Sequence, residues 1–170
     1  MEKTKIILDA DVIIHFSKAE CLSMLPTVLS EYEHIVLDYV RDELHGDVRT
    51  QIDMMEATLK SIKVVEFKPE GEMLHEYLLL TEDMGKGESA CMAYCRFTHN
   101  VIGSSNLRDI KDYCAQHKIV YLTTADFLFY AYHRNKMTKE QCDEFIKVVT
   151  SKGSKLPKVD ITTYLPNHII

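Results

Sequence analysis

Acidic side chains recur where the apolar runs of this chain give way to helical ones. Asp9 and Asp11 interrupt "KIILDADVII", Glu43 follows Asp42 in "VRDEL", Glu88 lies in "GKGESA" and Asp109 in "GSSNLRDI". Burying an uncompensated charge is costly, so such acids are exposed, paired or holding a cation. Two carboxylates about 4 Å apart at an effective dielectric near 20 repel by roughly 4 kcal/mol. A cluster of them therefore needs protons, cations or open solvent. Oxygen donors without nitrogen or sulfur suit Mg²⁺ or Mn²⁺, with waters and substrate phosphate completing the shell. The matching chemistry is attack of a metal-activated water on a phosphodiester. No GxSxG, Walker loop, GxGxxG or HExxH offers an alternative.

Each acid also has a local explanation. Asp11 fits an N-cap of the first helix, or an acid just behind the site, ahead of a direct ligand. Asp42 and Glu43 fit surface positions, and Glu88 in a first helical turn is favoured by the helix dipole. Asn106 and Asp109 resemble a capping pair, with Asn106 as the cap and Asp109 three residues on. Asp9 resists such an account, since it falls where the strand ends with nothing basic nearby in sequence.

The elements that must position these groups alternate. Strand-like runs rich in Val and Ile occupy 5–8, 34–37, 62–67, 100–103 and 119–122. Several are continuously apolar, the pattern of parallel strands covered on both faces. Helical segments fall at about 12–30, 39–45, 48–60, 69–81, 87–98, 108–117, 126–134 and 138–151. This predicts a three-layer α/β/α domain over 1–153 with a mostly parallel sheet of about five strands. The tail 154–170 is expected to pack on the domain, as an edge strand, or on a partner. In open parallel sheets ligands gather at the carboxyl ends of the strands, where the acids stand.

With 170 residues the chain is most simply one domain with a proper core. No apolar run approaches the roughly 20 residues a membrane span needs, so the expectation is a cytoplasmic protein without membrane contact. The five cysteines form no CxxC and read as reduced thiols. Cys91 and Cys95 share a helical face, but no partner sits at zinc-like spacing, so core packing is the expectation. A net charge of −6 excludes a global basic footprint for nucleic acid. It does not exclude an enzyme that meets phosphates through metal ions, which bring their own positive charge.

The stretches "IILDADVII", "HFSKAECLSMLPTVL", "HIVLDYVRDEL", "GKGESACMAYC" and "VIGSSNLRDIKDYCAQHKIVYLTTADFLFYAY", in that order and spacing, resemble the small prokaryotic PIN-domain proteins over about residues 5–150. The resemblance implies a flavodoxin-like fold and a metal-dependent nuclease, with many such proteins acting as RNA-cleaving toxins of toxin–antitoxin pairs. It implies Asp9 as the first metal-bridging aspartate, Glu43 as the glutamate of the "V-x-x-E-L" helix, and Glu88 as the acid of the "GE-x-x-A" helix. After the fourth strand the pattern departs. Either Asn106 takes the place of an aspartate, or Asp109 matches the second acid of a longer form. The implied catalytic set is Asp9, Glu43, Glu88 and Asp109, and the implied metal set Asp9, Glu88, Asn106 and Asp109, for Mg²⁺ or Mn²⁺. The implied partners are RNA, an antitoxin protein and a second copy of the chain.

Ser104, Ser105, Arg108 and Lys111 stand where phosphate or water contacts are expected, although the basic residues also fit a solvated helix face. Lys147, Lys152, Lys155 and Lys158 form a second basic run. Two other functions compete. In a haloacid-dehalogenase-like phosphatase Asp9 would be nucleophile and Asp11 general acid, a reading that leaves Glu43 and Glu88 unused. A non-catalytic PIN-fold module binding nucleic acid or protein would accommodate the amide at Asn106.

Overall fold

A computed structural model describes residues 3–170. Four-residue β1 (Lys5–Leu8) leads into α1 (Ala10–Lys18), then a 3₁₀ turn (Leu22–Met24) and α2 (Leu25–Val28). Next come β2 (Glu33–Leu37), α3 (Asp38–Glu43), α4 (Gly46–Met54) with a π-helical turn (Met55–Leu59), and β3 (Lys63–Val65). The second half runs α5 (Gly71–Leu80), α6 (Lys86–Thr98), β4 (Val101–Gly103), α7 (Leu107–His117), β5 (Tyr121–Leu122), α8 (Thr124–His133) and α9 (Lys139–Ser151).

The five strands form one parallel sheet in the order β3-β2-β1-β4-β5. The strands add outward from β1 to β3, then the chain returns to the other side of β1 for β4 and β5. Right-handed crossovers therefore place the two sets of connecting helices on opposite faces, the three-layer α/β/α arrangement expected from the alternation. On one face α1 and α2 pack with α8 and α9. On the other α6 lies against β1, β2 and β4, with α5 outside it. Ile6, Ile7, Leu8, Ile35, Val36, Leu37 and Ile102 are buried, which explains why the strands read as apolar runs rather than alternations.

The expected helix 12–30 is broken in two. α1 stops at Lys18, Glu20 turns through a positive φ of 58°, and α2 starts with Pro26 in its first turn. Proline has no N–H to give and is accommodated there, where none is needed. The expected cap also shifts. Asp9, with extended φ and ψ of −84° and 161°, is the N-cap of α1, and Asp11 lies inside the first turn.

The tail forms no strand; it is held to the domain by a buried acid. Asp126, fully shielded, accepts from the Thr123 N–H and hydroxyl, the Asn167 N–H and Nδ2, and the Tyr164 hydroxyl, all within 3.0 Å. The first of these contacts is half of a capping box that starts α8, whose other half is the Asp126 N–H donating to the Thr123 hydroxyl. Tyr130 adds a hydroxyl bond to the His168 carbonyl and accepts from the Ile170 N–H. A carboxylate surrounded by donors tolerates burial without a counter-ion. Replacing Asn167 with Ala removes one charge-assisted bond and is expected to lower stability by about 1–2 kcal/mol in urea denaturation. An unchanged midpoint would mean that the tail is not held through Asp126.

Candidate active site

The order of strands reverses between β1 and β4, and their carboxyl ends bracket the crevice where ligands bind in such sheets. Leu8 is in register with Gly103, and the Asp9 N–H continues the ladder to the Gly103 carbonyl at 2.8 Å. A side chain on Gly103 would meet Leu8 Cδ2 at 3.0 Å, so the two strands approach closely here. Asp9 and the segment Ser104–Asn106 thus leave the sheet side by side.

Asp9 is 6% exposed. Its Oδ1 accepts from the Ala10 N–H at 2.8 Å and its Oδ2 from the Ser104 hydroxyl at 3.2 Å. Burial, then the charges of Asp11 and Glu88, hold its carboxyl well above the usual range. Asp11 accepts from the Val12 N–H at 2.6 Å and, across the crevice, from the Ser105 N–H at 2.9 Å. Burial pushes its carboxyl up to about 6 despite those bonds.

Glu88 arrives from the first turn of α6. Burial and the charges of Asp109 and Asp11 push it from 4.5 to about 7. Asn106 occupies the N-cap position of α7 without capping it through its side chain. Instead its Nδ2 donates to Glu88 Oε1 at 3.0 Å and to Asp109 Oδ2 at 2.7 Å, bridging the two acids. Asn106 and Asp109 therefore both belong to the crevice, and the amide stands between carboxylates that would otherwise repel.

Glu43 has a different position. At the end of α3 it is exposed, and its Oε1 accepts the Gly87 N–H at 2.7 Å, satisfying a free donor in the first turn of α6. Any side chain on Gly87 would stand 2.6 Å from Glu43 Oε2, so this glycine makes room for the acid. Glu43 acts on Glu88 through charge and as an anchor for its helix.

The expected phosphate contacts divide. Ser104 is fully buried with its hydroxyl on Asp9, and Ser105 Oγ is bonded to Thr124, so both hydroxyls are turned inward. Arg108 is 94% exposed beside Asp109 at 3.9 Å, and Lys111 is exposed on the same helix. Lys152 bonds the Lys18 carbonyl and Lys147 pairs with Glu144, so those members of the second basic run are engaged locally. Cys91 and Cys95 are buried free thiols, as expected of core residues.

Two contributors went unnoticed in the sequence. Thr124 joins Ser105 to His15, whose Nδ1 lies 2.8 Å from its hydroxyl, and burial lowers the His15 imidazole to about 4. His15 is thus a neutral brace four residues after Asp11. The "TTADF" motif carries a visible capping signal for Thr123 and Asp126, but nothing in it indicates that Thr124 faces the crevice.

Among the described residues, no three His, Cys, Asp or Glu side chains converge closely enough to hold a metal ion as they stand. The donor chemistry nevertheless suits a hard cation. Asp9, Asp11, Glu88 and Asp109 are oxygen donors, burial and neighbouring acids raise the proton affinity of Asp9 and Glu88, and the Asn106 amide bridges Glu88 and Asp109. Among the described residues, no helix is long and apolar enough to cross a membrane.

No family model matches the chain, and no curated protein matches it. Among solved structures it is similar to the crystal structure of PAE2754 from Pyrobaculum aerophilum. Identity is 14%, the TM-score 0.49, and the match covers 76% of this chain and 90% of that one.

Since Glu88 and Asp11 bind protons more tightly folded than unfolded, stability in EDTA is expected to fall as pH rises from about 4 to about 7. Asp9→Asn keeps an acceptor for Ala10 and gives Ser104 a donor while removing the most buried of the crevice acids. Near pH 8 it is expected to stabilise the metal-free protein by about 1–3 kcal/mol, with the gain shrinking toward pH 5. Thermal denaturation across that range tests this, and a destabilised variant would contradict the repulsion.

Proposed function

We propose that the protein is a metal-dependent ribonuclease of the PIN-domain kind, hydrolysing phosphodiester bonds at the crevice between β1 and β4. The supporting observation is that acids from three separate segments, Asp9 with Asp11, Glu88, and Asp109, gather where the strand order reverses, and that burial and neighbouring acids raise the proton affinity of Asp9 and Glu88. Asp9, Glu88 and Asp109 are the residues that would hold Mg²⁺ or Mn²⁺, with the Asn106 amide beside them. When bound, such a cation supplies an activated water and neutralises charge developing on phosphate.

The chain's own groups prepare that site. The Ser104 hydroxyl fixes Asp9, the Ser105 N–H fixes Asp11, and Asn106 orients Glu88 and Asp109 toward one another. Glu43 secures the first turn of α6 and thereby the position of Glu88. Exposed Arg108 and Lys111 on α7 are placed to attract an RNA backbone toward an otherwise acidic protein. The same reading extends to a toxin neutralised by an antitoxin, and to a homodimer.

A second reading, a non-catalytic module, is favoured by one feature: the Asn106 amide already bridges Glu88 and Asp109 where a cation would otherwise do so. One experiment separates the two. Mixed RNAs and DNAs are incubated with protein in Mn²⁺ or in EDTA. The nuclease reading expects RNA cleavage in Mn²⁺ alone, reduced at least about 100-fold in Glu88→Gln. It also expects a Mn²⁺-induced rise in melting temperature that Asp9→Asn abolishes. A protein indifferent to Mn²⁺ and Mg²⁺ sinks the nuclease and leaves the module.

A further inference from the structure

At the opposite, amino-terminal end of the sheet lies a cavity of about 380 Å³ at the starts of β2 and β3. Four lysines line it, Lys3, Lys60, Lys63 and Lys136, against one carboxylate, Glu33. Glu33 is already neutralised by its ion pair with Lys63. Among the described residues no acid pairs with Lys3, Lys60 or Lys136. This is a concentration of positive charge in a chain of net charge −6.

Two buried polar atoms in the same wall have no partner. His34, 3% exposed, leaves its Nε2 without a hydrogen bond, and so does the Ser61 hydroxyl. Orphaned polar groups are uncommon and cost about 1–3 kcal/mol each, and two in one cavity wall call for a common cause. Lysines alone would fit a solvated surface. The two orphans beside them mark the wall as built for something polar.

We propose that this cavity binds a phosphate group, inorganic or as a small phosphomonoester. A hydrogen phosphate presents both anionic oxygens and a P–OH. It therefore matches the ammonium donors together with an imidazole nitrogen and a hydroxyl, each able to donate or accept. A carboxylate offers only acceptors, and chloride offers one centre. The cavity lies at the other end of the strands from the acidic crevice, so its occupancy is independent of the nuclease reading.

The test is titration of the full chain with inorganic phosphate, and separately with glycerol 3-phosphate, following the His34 imidazole by NMR and the melting temperature. Acetate and chloride at matched ionic strength serve as controls. Saturable shifts with either phosphate are expected. Lys60→Ala and Lys136→Ala, both at exposed positions, are each expected to weaken binding about tenfold, the loss of one charge-assisted contact. Ser61→Ala is expected to weaken it without destabilising the unliganded protein. Binding of inorganic phosphate alone identifies a free-ion site, and binding of the ester identifies an organic ligand. The proposal is overturned by absence of a saturable response to both phosphates, by an equal response to chloride, or by full affinity in both lysine variants.

Discussion

Like charges held together away from water are what the carboxyl end of this sheet has to accommodate. Asp9 stands at the end of β1, and Asp11, Glu88 and Asp109 stand in the first turns of α1, α6 and α7. Their convergence follows from the reversal of strand order between β1 and β4. Among the described residues the four acids have one ion pair, the exposed Arg108 beside Asp109 at 3.9 Å. The relief is otherwise a set of hydrogen bonds from Ser104, Ser105 and Asn106, together with raised proton affinity. The repulsion that remains is what raises the proton affinity of Asp9 and Glu88 beyond the effect of burial.

Asp126 shows what a purely structural buried acid looks like in the same fold. It lies deeper than Asp9, yet it accepts five hydrogen bonds. Its donors come from the α8 cap and from the tail, so the charge is spread over the elements it joins. Asp9 accepts two bonds and feels two neighbouring negative charges. The contrast lies in partners rather than depth, and it separates an acid that fastens the structure from one set among like charges.

The molecule also has two chemical ends. Parallel strands put every carboxyl end on one side, where loops and helix starts carry the acids. The amino ends on the other side carry Lys3, Lys60, Lys63 and Lys136 around His34 and Ser61. A modest net charge thus conceals two opposed local fields, so the absence of a global basic footprint says little about local anion sites.

The order of elements, the parallel sheet and the candidate role of Asp9 were legible in the sequence. Apolar runs mark doubly covered strands, and an acid at the end of such a run has few local excuses. Asp109 was legible as a position after a strand-to-helix junction, and Glu88 as an acid in a first helical turn. The α1 break at Glu20 was missed because a left-handed residue other than glycine has no compositional mark. Asp11 and Asp9 exchanged capping roles because cap geometry depends on where the ladder ends, which the pairing with Gly103 decides. Only tertiary structure made Glu43 an anchor for α6, set Asn106 between two acids, turned Ser104 and Ser105 inward and put His34 and Ser61 in one cavity wall. Each depends on a contact between segments distant in sequence, whose side-chain directions local spacing does not carry.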